Sequence, residues 1–305
     1  MVYKSRTESK ELLTLRSLKL RMELSDKDAK KYYSVEKGFE GEQKFDEFLS
    51  AIPGNWLTLN DLGLESNNSY FQVDTTLLFQ GIIHLINVKN FEGDYYIDSS
   101  GQWFSGSEKL TKDPIEQLIR SENLFKQLLQ ELGFKFPVES YLVFINPEFH
   151  LYNAPKSLPA VFPTQLNRYK NKLLTIPSYL NEKHDKLAQN LASLHQPESP
   201  YTRYPKYHYE KLKKGVICIG IGCHSFITHF EKHILICDKC GCIEDVESAV
   251  LRNVEELLLL FPDRKITTNA VHEWCNIIPK KTIRRILLKN FMFAGHSSSF
   301  YFIID

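Results

Sequence analysis

YFQVDTTLLF (70–79), QG (80–81) and IIHLINVK (82–89) form the stretch on which the fold turns. Both long runs are rich in β-branched and aromatic residues, which favour strands. Two residues ending in glycine join them, the length of a tight hairpin. With Phe79 paired to Ile82, Asp74 falls opposite Asn87, and Lys89 shares the face of Asn87 because strand side chains alternate. One face of the hairpin then presents Asp74, Asn87 and Lys89 together. Two chemistries fit that grouping. Phosphodiester hydrolysis needs a divalent cation held by oxygen ligands and a positive charge near the attacking water or the developing negative charge. An ordinary cross-strand ion pair between Asp74 and Lys89 needs neither.

Working outward, Trp56 to Asn60 reads as a preceding strand. A helix beginning near Gly38 covers Glu42 to Ile52, with Phe45, Phe48, Leu49 and Ile52 at helical spacing. Glu42 lies one turn before Phe45 on the same face, as a helix-start acid or as a site residue pointing inward. Downstream, Asp113 is a good N-cap, Pro114 suits the first helical position and Glu116 completes a capping pattern. Leu118, Ile119, Leu128, Leu129 and Leu132 supply that helix with an apolar face. Val138 to Ile145 reads as a buried strand ended by Asn146-Pro147. Helix, three strands, helix, strand is a mixed α/β (α+β) domain, with Glu42 and Gln117 reaching in from the flanking helices.

Several local words occur in order: Gly41-Glu42, QVD (72–74), GII (81–83), INVKN (86–90), Gly93, Trp103 and DPIEQ (113–117). This set resembles the nuclease-related domain, or NERD, family over about Val35 to Pro147. The resemblance implies a restriction-endonuclease-like fold, whose sites carry an Asp and then an acid-x-Lys on the next strand. It implies a helix acid at Glu42, a metal-binding Asp at Asp74, a catalytic Lys at Lys89 and a helix Gln at Gln117. Asn87 stands where the family pattern has a carboxylate. Asn offers a neutral oxygen ligand but no charge and no basicity.

The 305 residues suggest two or three domains. At 43% hydrophobic, 25% charged and net charge +1, the composition is ordinary, so a nucleic-acid surface must be a local patch. No run approaches the length of a membrane span. Met1 to Lys31 is charged throughout, so it reads as an amphipathic docking helix with Leu12, Leu13, Leu15, Leu18, Leu20 and Leu24 as its stripe, not as a signal peptide. All six cysteines lie at or after Cys218. With no export signal, this clustering points to reduced thiols and a metal in a cytoplasmic protein.

Cys218 and Cys223 form one pair, and Cys237-x-x-Cys240-Gly241 forms another. A strand-like spacer between two thiolate pairs fits a structural zinc site and resembles a zinc ribbon. Free buried thiols are the alternative, and Cys242 and His224 could substitute for Cys218. From Asp263 to Met292, seven Lys or Arg residues face two acids. Thr267-Thr268-Asn269 offers caps for a short helix around Ala270 to Trp274. Pro279 starts a second helix carrying Lys280, Lys281, Arg284 and Arg285, with Ile283, Ile286 and Leu287 buried. Phe291 to Ile304 reads as two strands around Gly295 to Ser299. That order resembles a winged helix-turn-helix bound to DNA, and equally a helical cap with a solvated basic face.

The expected organisation is an N-terminal helix (1–34), a NERD-like nuclease domain (35–195), a linker (196–213), a zinc ribbon (214–247) and a helix-turn-helix or winged-helix-like domain (248–305). The expected function is a divalent-metal-dependent DNA nuclease, with Mg²⁺ or Mn²⁺ at Asp74 and Zn²⁺ structural. A catalytically weak or inactive DNA-binding protein on a nuclease scaffold is the alternative, supported by Asn87. A third reading is an adaptor whose basic helix binds an acidic protein.

Overall fold

The computed structural model describes residues 1–106, 108–110, 113–295 and 300–304. It comprises two units, Met1–Ser9 with Tyr33–Thr202, and Lys10–Tyr32 with Arg203–Asp305. In chain order, Val2–Lys4 forms strand β1, Lys10–Arg21 helix α1 and Asp26–Ser50 helix α2. Leu57–Ser66 (β2), Ser69–Leu78 (β3) and Ile83–Lys89 (β4) follow. Then come Gly93–Ile97 (β5), Trp103–Ser105 (β6), Glu108–Lys109 (β7), Pro114–Glu131 (α3), Val138–Phe144 (β8), Phe149–Tyr152 (β9), Ala160–Val161 (β10), Leu166–Thr175 (α4) and Glu182–Ser193 (α5).

The hairpin sits at the centre of a six-stranded sheet ordered β1-β2-β3-β4-β8-β10. β2, β3 and β4 run antiparallel to one another, while β1 joins β2 and β8 joins β4 in parallel. Ile83 to Val88 are all buried, which the near-continuous apolar run of a central, doubly covered strand explains. One face packs on α3 and α5 through Phe125, Leu128, Leu187 and Leu191. The other packs on α2 and α4 through Phe45, Leu49, Tyr169 and Leu173. The first unit is therefore the expected mixed α/β layer structure, with a small sheet β7-β6-β5-β9 attached. Asp113 caps α3 as expected, accepting from Ile115 N at 2.7 Å. Ile119 of α3 is exposed, contrary to its expected place on the apolar face.

The N-terminal segment departs from its expected form. Residues 1–34 do not form one helix. Val2 to Lys4 pairs with β2, where Thr58 N donates to the Met1 carbonyl. α2 begins at Asp26 rather than near Gly38, because Ser25 Oγ caps its first turn by accepting from Asp28 N at 3.2 Å. The strand expected over Trp56–Asn60 continues to Ser66. Asn60, Asp61 and Gly63 imitate turn punctuation inside it. Residues 196–213 are also not spacer throughout, since Tyr209 and Leu212 are buried in the core of the second unit.

In that second unit, His229–Glu231 (β11), Ile234–Ile236 (β12) and Ile243–Asp245 (β13) form an antiparallel sheet. Val246–Leu260 (α6), Thr268–Cys275 (α7) and Lys280–Asn290 (α8) follow, then the hairpin Met292–Ala294 (β14) and Tyr301–Ile303 (β15). The core gathers Leu18, Val216, Leu235, Val250, Leu257, Trp274, Ile283 and Leu287. Thr267 Oγ1 caps α7, and Asn276, at φ +61°, ends it in the left-handed conformation that Asn tolerates. Ile266 bridges to Phe302, tying the segment before α7 to the terminal hairpin. His296 to Ser299, the expected tip, lie outside the described residues. Among the described residues no helix is long and apolar enough to cross a membrane.

Candidate functional site

The alternation of β2 and β3 breaks at one place. Leu59 and Leu62 are three residues apart yet pack in the same cluster, while Val73 and Leu77 are four apart and pack in different ones. A regular strand does neither. Between the pairs Asn60–Thr75 and Leu62–Val73, the register sets Asp61 opposite Asp74. Asp61 has φ of +54°, so the departure from the pleat falls on these two aspartates.

Asp74 also lies where the β3–β4 ladder stops. The last pair is Thr75–Ile86, so Asp74 stands opposite Asn87, as the Phe79–Ile82 register requires. Asp74 Oδ2 accepts the Val88 N–H at 2.8 Å, taking the place of a ladder carbonyl. Asn87 is 2% exposed and its Oδ1 has no hydrogen-bond partner among the described residues.

Glu42 arrives on α2. A Cβ at Gly41 would lie 2.5 Å from the Asn90 Cβ, so only glycine lets the helix approach the end of β4 this closely. Asn90 Nδ2 donates to the Lys37 carbonyl at 2.8 Å and fastens the approach. The family words Gly41-Glu42 and Lys89-Asn90 thus meet in space. Arg6, which follows β1, has a side chain only 4% exposed. It donates to Glu42 Oε2 at 2.7 Å and, bidentately, to Asp46 at 2.8 and 3.1 Å. It also donates to the Asp74 carbonyl at 2.9 Å and Thr75 Oγ1 at 3.1 Å.

Burial raises the Glu42 carboxyl to about 8, the Asp74 charge adding to the rise and Arg6 opposing it. Burial likewise raises Asp74, against the pull of Lys89 and the Val88 N–H. Two carboxylates that disfavour each other's charge, with an orphaned buried amide oxygen opposite one of them, fit a hard cation in kind. The set is short of charge, because Arg6 engages Glu42 and Asn87 is neutral.

The charges of Glu42, Asp74 and Lys89 thus bear on one another, and Asn87 stands opposite Asp74 where the β3–β4 ladder ends. Gln117 sits exposed in the first turn of α3, and its described bond is N–H to the Asp113 carbonyl. Sequence reasoning missed Arg6, 36 residues before Glu42 in a charged segment that carries no motif. It also missed Asp61, whose charge bears on both Glu42 and Asp74. The signal for Asp61 was its tolerance of left-handed backbone within a strand.

In the second unit, Cys218, Cys223, Cys237 and Cys240 place their sulfurs within 4.8 Å of one another, a group that could hold a metal ion. Cys218–Cys240 and Cys223–Cys237 are 3.5 and 3.6 Å apart. Tetrahedral coordination at ordinary Zn–S lengths needs about 3.8 Å. Cys218 belongs to the group, so neither Cys242 nor His224 is needed in its place. Gly220 N donates to Cys218 Sγ, and a Cβ there would lie 2.9 Å from Cys240 Sγ. Ser225 Oγ lies 3.1 Å from both Cys223 and Cys237, and its hydrogen bond lowers the Cys237 thiol to about 6.

Lys280, Lys281 and Arg284 line a groove of about 900 Å³ with Thr267, Thr268, Asn269 and Phe300. The N-terminus of α7 thus opens on the same space as the basic turn of α8. Arg285 is exposed on α8 but is not among the groove's lining residues. Lys289 is bound to Glu247 at 2.8 Å, and Arg264 stacks on Tyr209. The seven basic residues therefore do not act as one patch.

No curated protein matches this sequence. The crystal structure of protein VC1899 from Vibrio cholerae is similar at 14% identity, over 61% of this chain and 50% of that one, with a TM-score of 0.29. This chain thus matches only half of that protein's length. Residues 37–145, which hold Glu42, Asp74, Asn87, Lys89 and Gln117, match the family model of the nuclease-related domain, NERD.

Proposed function

We propose that the first unit hydrolyses phosphodiester bonds in DNA with the help of Mg²⁺ or Mn²⁺, and that the second unit binds DNA around a structural Zn²⁺. The observation that carries the reading is the opening of the β3–β4 ladder at Asp74, opposite the unpartnered Asn87 oxygen and next to Glu42, inside the stretch that matches the nuclease-related domain. Asp74 would be the main cation ligand, with Glu42 and Asn87 beside it. When bound, the cation supplies polarisation of the phosphate and a more acidic water. Lys89 would stabilise charge growing on the phosphate oxygens. The Val88 N–H keeps the Asp74 carboxylate in one orientation, so little reorganisation is needed on binding.

In the second unit, the four thiolates are the zinc set, and Lys280, Lys281 and Arg284 meet phosphates, with Arg285 next to Arg284 on α8. The order α6, Ile266 bridge, α7, α8 and hairpin is that of a winged helix, which presents its last helix to a duplex. Free thiols clustered this way suit a reducing compartment such as the cytoplasm.

A second reading has its own support. Asn87 and the Arg6–Glu42 pair leave the centre with less negative charge than the family pattern provides, which favours a DNA-binding scaffold with weak or no cleavage. One experiment separates the two: plasmid and RNA cleavage with Mg²⁺ or Mn²⁺, beside Asp74→Ala. Cleavage in the wild type that drops about 100-fold or more in the variant is the expected result. No cleavage in either turns the conclusion to the scaffold, and equal cleavage in both removes Asp74 from the cleaving site.

A further inference from the structure

The nuclease reading needs Glu42 and Asp74 at a fixed separation, yet they come from different elements. Glu42 is on α2 and Asp74 on β3, at the point where the β2–β3 pleat breaks and the β3–β4 ladder ends. Neither irregular backbone nor a long helix fixes such a distance alone. Arg6 spans the gap. Its Nε and Nη2 hold Asp46 and its Nη1 holds Glu42, one turn apart on α2, and Nη2 also reaches the Asp74 carbonyl and the Thr75 hydroxyl on β3.

We propose that Arg6 is the positioning residue of this centre: its planar fork locks the helix acid to the strand acid. This rests on the nuclease reading above. With its side chain 4% exposed, Arg6 is closed off from a substrate and acts only through Glu42 and Asp74. A lysine could not reproduce the role, because a single ammonium does not make the paired, planar hydrogen bonds that Arg6 makes with Asp46. Arg6 is also a fixed cation beside the proposed metal ligands, so its loss lowers the positive charge that an incoming ion meets. Positioning and charge therefore predict opposite changes. Without Arg6, turnover falls because the acids are misplaced, while metal affinity is held or tightened because a repelling charge is gone.

The test uses the full chain as wild type, Arg6→Gln, Arg6→Lys and Asp46→Asn. Mn²⁺ binding is followed by calorimetry, plasmid cleavage as kcat and KM, and thermal melting in parallel. For Arg6→Gln, kcat should fall on the order of 100-fold, the scale of an ångström-sized misplacement, with KM unchanged and Mn²⁺ affinity not weakened. Arg6→Lys should recover only part of the loss. Asp46→Asn removes a partner of Arg6 without touching Glu42 or Asp74, and should lose about tenfold in kcat by the same reasoning. It decides the matter if Arg6→Gln does not fold.

Wild-type kcat in Arg6→Gln, or in Asp46→Asn where that variant decides, overturns the proposal and leaves the nuclease reading standing. Turnover, Mn²⁺ affinity and melting temperature all falling together mark Arg6 as a mere structural brace and also overturn it. A wild-type chain that neither binds Mn²⁺ nor cuts DNA removes the nuclease reading, and the proposal with it.

Discussion

The carboxylate cluster of the first unit and the thiol cluster of the second solve the same problem in opposite ways. Cys218, Cys223, Cys237 and Cys240 come from one short stretch, gather at ligand distances and sit in or beside an apolar core that includes Cys218 and Cys237. Glu42, Asp61 and Asp74 come from three elements, repel one another electrostatically and do not gather so closely among the described residues. On the function proposed above, the thiols form a site that would hold its own fold together through zinc. The acids form a site that the fold must hold against burial and mutual repulsion, with Arg6 bonded to both Glu42 and the Asp74 carbonyl. On that same proposed function, a structural metal and a working metal would call for these two arrangements, one cohesive and the other held against repulsion.

The largest effect should come from zinc. Metal analysis should find one zinc per chain, and chelation or Cys237→Ser should unfold the β11–β13 module, since zinc binding supplies about 10–16 kcal/mol in small modules of this kind. Hydrogen exchange should show lost protection there while β3 and β4 keep theirs. Zinc-free protein with unchanged exchange across 214–247 would break the comparison at its firmer end. Next in size is the basic groove. Replacing Lys280, Lys281, Arg284 and Arg285 with Gln should weaken DNA binding and flatten the slope of log affinity against log salt, by about 0.9 for each phosphate that is no longer neutralised. Affinity and slope both at wild-type values would remove the groove from DNA binding and favour the solvated-face reading.

How legible each site is in the sequence follows from the same contrast. The thiol pairs could be read directly because their spacing is local. The hairpin register was legible because Gln80-Gly81 fixes it and a one-residue slip would invert every buried side chain. Arg6 was not legible, because its partners lie 36 to 69 residues away and nothing local demands a guanidinium there. Asp61 was hidden by its own chemistry, since Asn-Asp-x-Gly normally ends a strand. β1 and the start of α2 were misread because tertiary pairing and a serine cap outweighed the even spread of charge across residues 1–34.

Asn87 tests whether the acid site is merely short of charge. Asn87→Asp changes shape very little and restores one negative charge opposite Asp74. It should tighten Mn²⁺ binding about tenfold, the scale on which ligand charge tunes hard-cation sites, and should raise cleavage. In an Asp74→Ala background the same change should do nothing, because the two residues would act on one ion. Calorimetry and plasmid cleavage on the four variants give the cycle. Full additivity would show that Asn87 does not share an ion with Asp74.

The smallest effect reaches furthest into the comparison, because it asks whether the acid site costs stability as the thiol site contributes it. Burial, and after it the Asp74 charge, raises the Glu42 carboxyl to about 8 in the folded chain, from 4.5 in its ordinary state. Between those values the folded chain keeps a proton that the unfolded chain has released. Raising the pH through that window therefore lowers stability, and above it the whole cost is present. Glu42→Gln removes the titration. Without added metal, the variant should match wild type near pH 5 and melt higher at pH 8.5, by an amount on the order of a few degrees. One effect opposes this, since Gln gives Arg6 a neutral partner in place of a charged one. Arg6 keeps its bidentate grip on Asp46, so that loss should be the smaller of the two. Melting temperatures of both proteins from pH 5 to 9 decide it. A variant that melts lower than wild type at pH 8.5 would mean that the Arg6–Glu42 pair outweighs burial, and that the acid site, like the thiol site, helps to hold its unit together.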